Sequence, residues 1–360
     1  MSAQNLLVRK SGIYHCVLSF GFFAQAAYIS CVTPSGDVNL TVSYARYSEN
    51  GKEISVARRN AFRVDVVSLV YLFLVASSMQ HAAQGLCHII HRTRVIEHYE
   101  TFGVFWLRWI DYLLTAPVMM IVVGVMNGIY DVYSLLALFG SQLLTIALGV
   151  LSDVCLAIFR APETPSKRID GSSPRSGRHA DTVRAVMCLM WAFLFPVNAF
   201  ASYCYEGRVC LYVAEVAWGL VMYFALSMWM SRDGFRVLVL RVHSSRTEDM
   251  KWLAKRFAVA AILPCVYAWA IIFATFAIAV NGSEGEPPEY VYAINVVTML
   301  LFLGPFPYFH FMSILSMDNA FRLRMRCETG HATFGFFSKS ALAWLVYWGV
   351  RRIQEDVVVS

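Results

Sequence analysis

The run Phe336-Phe337-Ser338-Lys339-Ser340-Ala341-Leu342-Ala343-Trp344 puts a lysine inside an otherwise apolar stretch. A charged side chain at that depth in a membrane-grade helix is expensive, so by default it marks function. Lys339 lies nine residues past Gly330. That is roughly 13 Å along a helix, too far for comfortable snorkelling to an interface. Upstream, Leu107-Arg108-Trp109-Ile110-Asp111-Tyr112-Leu113-Leu114-Thr115-Ala116-Pro117 brings an arginine and an aspartate into a second apolar run. A buried amine and a buried carboxylate on two helices suggest a pair that meets inside a bundle.

The rest of the chain supports a bundle in a membrane. It is 58% hydrophobic and 15% charged, with a mean hydropathy of +0.53. An average soluble domain is roughly 45–50% apolar and about 25% charged. Apolar runs near 12–33, 64–91, 103–126, 131–159, 183–204, 209–231, 253–280, 289–316 and 330–350 predict nine spans of an all-α polytopic membrane bundle. Basic residues gather in the loops near 92–94, 160–184, 232–256 and 322–326. These loops alternate onto one side together with the N-terminus. That side is expected to be cytoplasmic, with the C-terminus outside. The net charge of +6 therefore reads as a topology signal and not as a nucleic-acid footprint. No cleavable signal peptide is expected, because the first apolar run exceeds a signal core.

The long outer loop 34–63 alternates in part (Leu40, Val42, Tyr44) and predicts a β-hairpin cap. Two glycosylation triplets, at Asn39 and Asn281, fall on the expected outer side. The nine cysteines show no metal-ligand spacing, so no metal site is expected. Cys204 and Cys210 flank a short turn and can form a disulfide if it faces an oxidising compartment. The segment 160–182 is a basic Pro/Gly/Ser linker, and 235–250 reads as an interfacial segment. The run 227–236 resembles 313–322. A duplicated helix pair explains that echo, and so does chance likeness between two helix ends.

Several polar residues sit in the apolar runs. Arg108 and Asp111 are three apart and Asp111 and Thr115 four apart, hence on one helix face. Arg108 is expected beside Asp111, with Thr115 bonding the carboxylate. A neutral buried amine can condense with an aldehyde to a Schiff base, whose cation then needs a carboxylate. His15 and His81 read either as hydrogen-bonded bundle residues or as a proton site. Glu215 reads as an interfacial acid or a proton site, and Asp153 as an exposed acid near a helix end. No phosphate loop, zinc signature or Ser-His-Asp elbow points to an enzyme.

On these residues the chain resembles the microbial rhodopsins, and the heliorhodopsin branch in particular. Arg108-Trp109-x-Asp111-Tyr112-x-x-Thr115-x-Pro117 resembles the third-helix motif of retinal proteins. Ser338-Lys339-Ser340-Ala341-Leu342-Ala343-Trp344 is similar to the heliorhodopsin lysine helix and is the most specific match. Tyr290–Ile294 and Leu135–Gly140 resemble flanking helices, and the resemblance spans roughly 1–160 and 250–352. It implies all-trans-retinal as the cofactor, carried on Lys339. Asp111 would be the counterion, with Arg108, Thr115 and Ser338 as its neighbours. Trp109, Tyr112, Met119 and Trp344 would line the retinal pocket. His15 and His81 would form a proton-accepting region, with Asp153 an acid at the inner end of the fourth helix.

The departures are specific. The family usually has Glu where this chain has Asp111. Gly335 stands where the proton pumps carry a second carboxylate. Val122 stands at the pumps' proton-donor position and cannot donate. Residues 161–250 read as an insertion with two added spans, between core helices one to four (1–160) and five to seven (251–352), with 353–360 a tail; the alternative is the reverse assignment, with 183–231 in the core and 253–316 the added pair. The expectation is a light-sensing photoreceptor that signals, in a plasma membrane, as a homodimer. A membrane signalling or channel partner would dock on the extra helices. The alternative is a light-gated proton or cation pathway through Glu215 or those helices.

Overall fold

The computed structural model describes residues 3–33, 36–47, 54–102, 107–160, 247–282, 287–315 and 321–359. In chain order these form α1 (Ala3–Val32), β1 (Asp37–Tyr47), β2 (Ile54–Asp65), α2 (Val66–Ile90), α3 (Arg92–Phe102), α4 (Leu107–Met126) and α5 (Val132–Arg160). After the undescribed stretch come α6 (Thr247–Ala260), α7 (Ile262–Gly282), α8 (Glu289–Leu303), α9 (Pro305–Leu315) and α10 (Phe321–Val359). Among the described residues, six helices or helix pairs are long and apolar enough to cross a membrane. They are Ala3–Val32, Val66–Ile90, Arg108–Met126, Val132–Leu156, Ala254–Asn281 and Glu289–Met312. Phe20, Phe23 and Val17 on α1 stay exposed, as suits a surface turned to lipid. The expected spans 183–204 and 209–231 lie outside the described residues.

The structure differs from the sequence reading at four places. The basic stretch after α2 continues as α3, because Val95 and Tyr99 bury against Val8, Ile110 and Phe321. The run 253–280 is broken at Ala261, three residues before Pro264, and 289–316 is broken at Gly304. Proline removes a backbone donor and crowds the preceding turn, so each break sits just upstream of one. The expected span 330–350 is the middle of the longer α10, which carries Arg322, Arg324 and Arg326 at one end and Arg351 and Arg352 at the other.

Packing along α1 and α2 is close. A Cβ on Gly85 would stand 2.6 Å from Cys16 Sγ and 2.9 Å from the Gly12 carbonyl. Small residues let membrane helices approach to backbone contact. The main core joins α4, α7, α8 and α10 through Met119, Val122, Trp269, Ile272, Ile294, Leu342 and Val346. The hairpin forms as expected, with β1 and β2 antiparallel and Asp37 opposite Asp65. Arg63 ion-pairs with Asp37 across it.

Two aspartates tie the hairpin to the bundle. Asp65 caps α2, accepting from Val67 N (3.0 Å) and Ser68 N (3.2 Å), and also takes Gly36 N (2.8 Å). Asp131 accepts from Ser134 N at 3.0 Å and from Ser43 N at 3.3 Å. Thr41 N donates to Tyr130 O at 2.8 Å. The hairpin thus lies at the end of the bundle where α4 stops. Asn39 on β1 and Asn281 on α7 are both exposed.

Candidate functional site

Lys339 on α10 meets Asp111 on α4. Its Nζ donates to Asp111 Oδ2 at 2.5 Å and to Ser77 Oγ at 2.5 Å. Ser77, on α2, donates in turn to Asp111 Oδ1 at 2.8 Å. Lys339 and Asp111 are each 3% exposed. In such a setting water does not screen the pair, and removing either partner leaves an uncompensated charge. The Phe22 and Tyr112 rings flank the amine, each 5.8 Å from Nζ.

The two histidines are brought together beside this pair. One ring nitrogen of His15 and one of His81 share a hydrogen bond of 2.8 Å. His81 stacks between His15 (5.0 Å) and Phe22 (5.5 Å). His88 lies edge-on to His15 at 5.6 Å and bonds Ser11 at 3.2 Å.

Several expected neighbours are placed differently. Arg108 turns away from Asp111. It donates to Asp153 Oδ2 at 2.7 Å and to Glu328 Oε2 at 2.9 Å. The reason is charge: Asp111 already has Lys339, while two further buried carboxylates face Arg108. Asp153 is fully buried, where an exposed acid was expected, and it also accepts from Trp109 Nε1 at 2.8 Å. Trp109 is thereby held toward Asp153 and beside His310. Thr115 donates to the Asp111 backbone carbonyl at 2.8 Å, and the Asp111 carboxylate is 3.5 Å away. Ser338 donates to the carbonyls of Phe334 and Gly335 on its own helix, so the hydroxyl at the pair is that of Ser77. Trp344 has Tyr28 and Tyr347 as ring neighbours. Met119 lies in the apolar core. Glu215, Cys204 and Cys210 lie outside the described residues.

A small polar cavity opens on the Arg108 side of the pair, bounded by Asp111, His81, Gln84, Arg108, Glu328 and His331. Gln80 donates to Gln84 at 2.7 Å, and Gln84 approaches Glu328 at 3.4 Å. The other side of the pair is the apolar layer of Met119, Val122, Leu342 and Val346. The sequence reading missed Ser77, Gln84, Glu328 and His331 as site residues. Glu328 and His331 carried a signal, as an acid and an imidazole at the start of the apolar run 330–350.

Among the described residues no group of His, Cys, Asp and Glu could hold a metal ion. The donor set instead suits a carbonyl ligand: a buried primary amine, a single carboxylate at hydrogen-bond distance and aromatic rings on either flank. Such an amine can condense with an aldehyde, and the carboxylate can balance the cation that results.

No curated protein matches the chain. The heliorhodopsin family model matches residues 12–231 and 213–350. The two matches together run across almost the whole bundle, and the second includes Lys339. On that coverage the chain belongs to the heliorhodopsins, a family of retinal-binding membrane rhodopsins.

Proposed function

We propose that this protein is a light-sensing photoreceptor in which Lys339 carries all-trans-retinal and Asp111 is its counterion. The observation that carries the reading is the buried contact between Lys339 and Asp111, bridged by Ser77. Bound to Lys339 as a protonated Schiff base, retinal supplies visible absorption and a light-driven isomerisation. The chain's own residues do the rest. Asp111 stabilises the positive charge on the lysine nitrogen, and Ser77 holds the carboxylate in place. Tyr112 and Met119 lie along α4 on the two sides of the pair and are the candidates to contact the chromophore. His81 and His15 offer a proton-accepting pair at the edge of the cavity.

The function is signalling and not pumping. Polar groups approach the centre from the Arg108 side, whereas Met119, Val122 and Val346 close the hairpin side with apolar side chains. A pump needs proton-bearing groups on both sides. The reading includes a homodimer in a plasma membrane, with residues 161–250 contributing two added helices and a docking surface for a membrane partner.

The test is visible absorption of the purified protein supplied with all-trans-retinal, beside Lys339→Ala. A visible band that hydroxylamine bleaches and the variant lacks is expected. Folded wild type with no band rules the reading out. The competing pathway reading, light-gated proton or cation transport, draws on the polar cavity. It predicts sustained photocurrents under voltage clamp, which Glu215→Gln would abolish.

A further inference from the structure

The buried charges do not balance. Lys339 and Asp111 neutralise each other. Arg108, 5% exposed, is the cation facing both Asp153 (0%) and Glu328 (3%). One guanidinium therefore meets two carboxyl groups, with a negative charge left over in a buried site. An isolated buried charge is costly enough that a group changes its protonation instead.

The two carboxyl groups are held by unequal sets of donors. Asp153 Oδ2 has two strong donors, Arg108 at 2.7 Å and Trp109 at 2.8 Å. Glu328 has Arg108 at 2.9 Å and the amide of Gln84 at a long 3.4 Å. Hydrogen bonds to the charged form hold a carboxylate ionised, so the weaker set yields first. The other groups near Glu328 are Tyr99 of α3, Tyr112 of α4 and His331 of α10. Neither tyrosine adds a cation. A cation on His331 would sit among Tyr112, Phe306 and Phe309 with no acceptor for either nitrogen. His310 is 3.9 Å from Asp153 Oδ1, beyond hydrogen-bond reach.

The cavity joins Glu328 to the Asp111 centre. His15 Nε2, Gln80 Oε1, Arg108 Nε and both His331 nitrogens are buried on residues that line it, and none has a protein partner. Buried polar atoms of this kind are satisfied by ordered water, which also conducts protons.

We infer that Glu328 is a neutral carboxylic acid in the resting protein and the proton reserve of the Lys339–Asp111 centre. The transfer role rests on the photoreceptor reading, whereas the resting protonation does not. In the transfer, light first moves the proton of the lysine nitrogen to the His15–His81 pair, which releases it to the aqueous phase; the Glu328 O–H bond then breaks and its proton passes along the cavity to that nitrogen. Glu328 is left as a carboxylate facing Arg108, and it regains its proton from the aqueous phase.

The experiment is infrared spectroscopy of the purified full chain in H2O and D2O, first in darkness. A protonated-carboxyl band that shifts down in D2O is expected in the wild type and is lost in Glu328→Gln; by the same charge count it is lost in Asp153→Asn as well, because Glu328 then faces Arg108 alone and ionises. Uniform ¹³C-glutamate labelling of the wild type must move the same band, which assigns it even if Glu328→Gln does not fold. No such band, or one that survives Glu328→Gln or ignores the label, overturns the inference. Under light, the band should bleach and recover with the pigment, and Glu328→Gln should slow that recovery about tenfold or more. A pigment whose light cycle leaves the band unchanged refutes the transfer role. Absence of any pigment would refute the photoreceptor reading and the transfer role with it, while the dark spectra still decide the resting proton.

Discussion

Asp111 is the side chain on which the centre turns. Asp111→Asn leaves the lysine nitrogen facing a neutral amide in a buried site. Loss of an opposite charge within hydrogen-bond distance disfavours the cation, by about 1–3 pKa units or more. A pH titration of the visible band should therefore reach its midpoint at clearly lower pH in Asp111→Asn than in the wild type. An unchanged midpoint would show that some other group balances the charge. Removing one partner of a buried pair also costs about 3–5 kcal/mol, so the same variant should melt earlier without added anion.

The central pair was legible because an amine and a carboxylate in apolar runs have few structural excuses. Arg108 was legible too, but its partner was not. Spacing places Arg108 and Asp111 on one face, yet spacing cannot count the carboxylates that arrive from other helices. Ser77 carries no signal at all, since a serine in a membrane helix usually bonds its own backbone, as Ser338 does here. Glu328 sits near a run of arginines at a helix end, where charge is cheap and function is hard to tell from topology.

Among the elements, the α1–α2 contact has the least room. Gly85→Val would put methyl groups where Cys16 Sγ and the Gly12 carbonyl already stand. Overpacking of this kind costs about 1–3 kcal/mol, and here it would also part His15 from His81. Thermal unfolding should fall, and, on the proposed proton-accepting role of that pair, the light cycle should change with it, whereas Gly140→Ala on α5, whose Cβ meets nothing within 4 Å, should leave both near wild type. Most helices were readable from apolar runs, because length and hydropathy alone define a span. The breaks at Ala261 and Gly304 were not, since prolines within apolar segments are tolerated in some membrane helices. α3 was hidden because only one stripe of it is buried.

At the scale of the molecule, Asp131 links the hairpin to the start of α5 from outside the spans. Burial raises its pKa, but bonds from Ser134 and Ser43 outweigh burial, and the carboxyl lies below its ordinary value of 3.8. A depressed pKa contributes stability above the unfolded value, lost as pH falls through the folded one. Hairpin docking should thus hold at neutral pH and weaken below about 3.8. Asp131→Ala should remove that acid step, read by hydrogen exchange at Thr41 and Ser43.

The two faces of the centre differ in a way that fixes how it can be observed electrically. Among the described residues, the polar cavity beside Asp111 opens toward Arg108, and the hairpin side is packed with Met119, Val122 and Val346. A proton displaced by light would leave and return through the same half of the bilayer. On a capacitive electrode the response would be a brief displacement followed by one of opposite sign. The two areas would cancel over each flash, and prolonged illumination would charge the membrane by nothing.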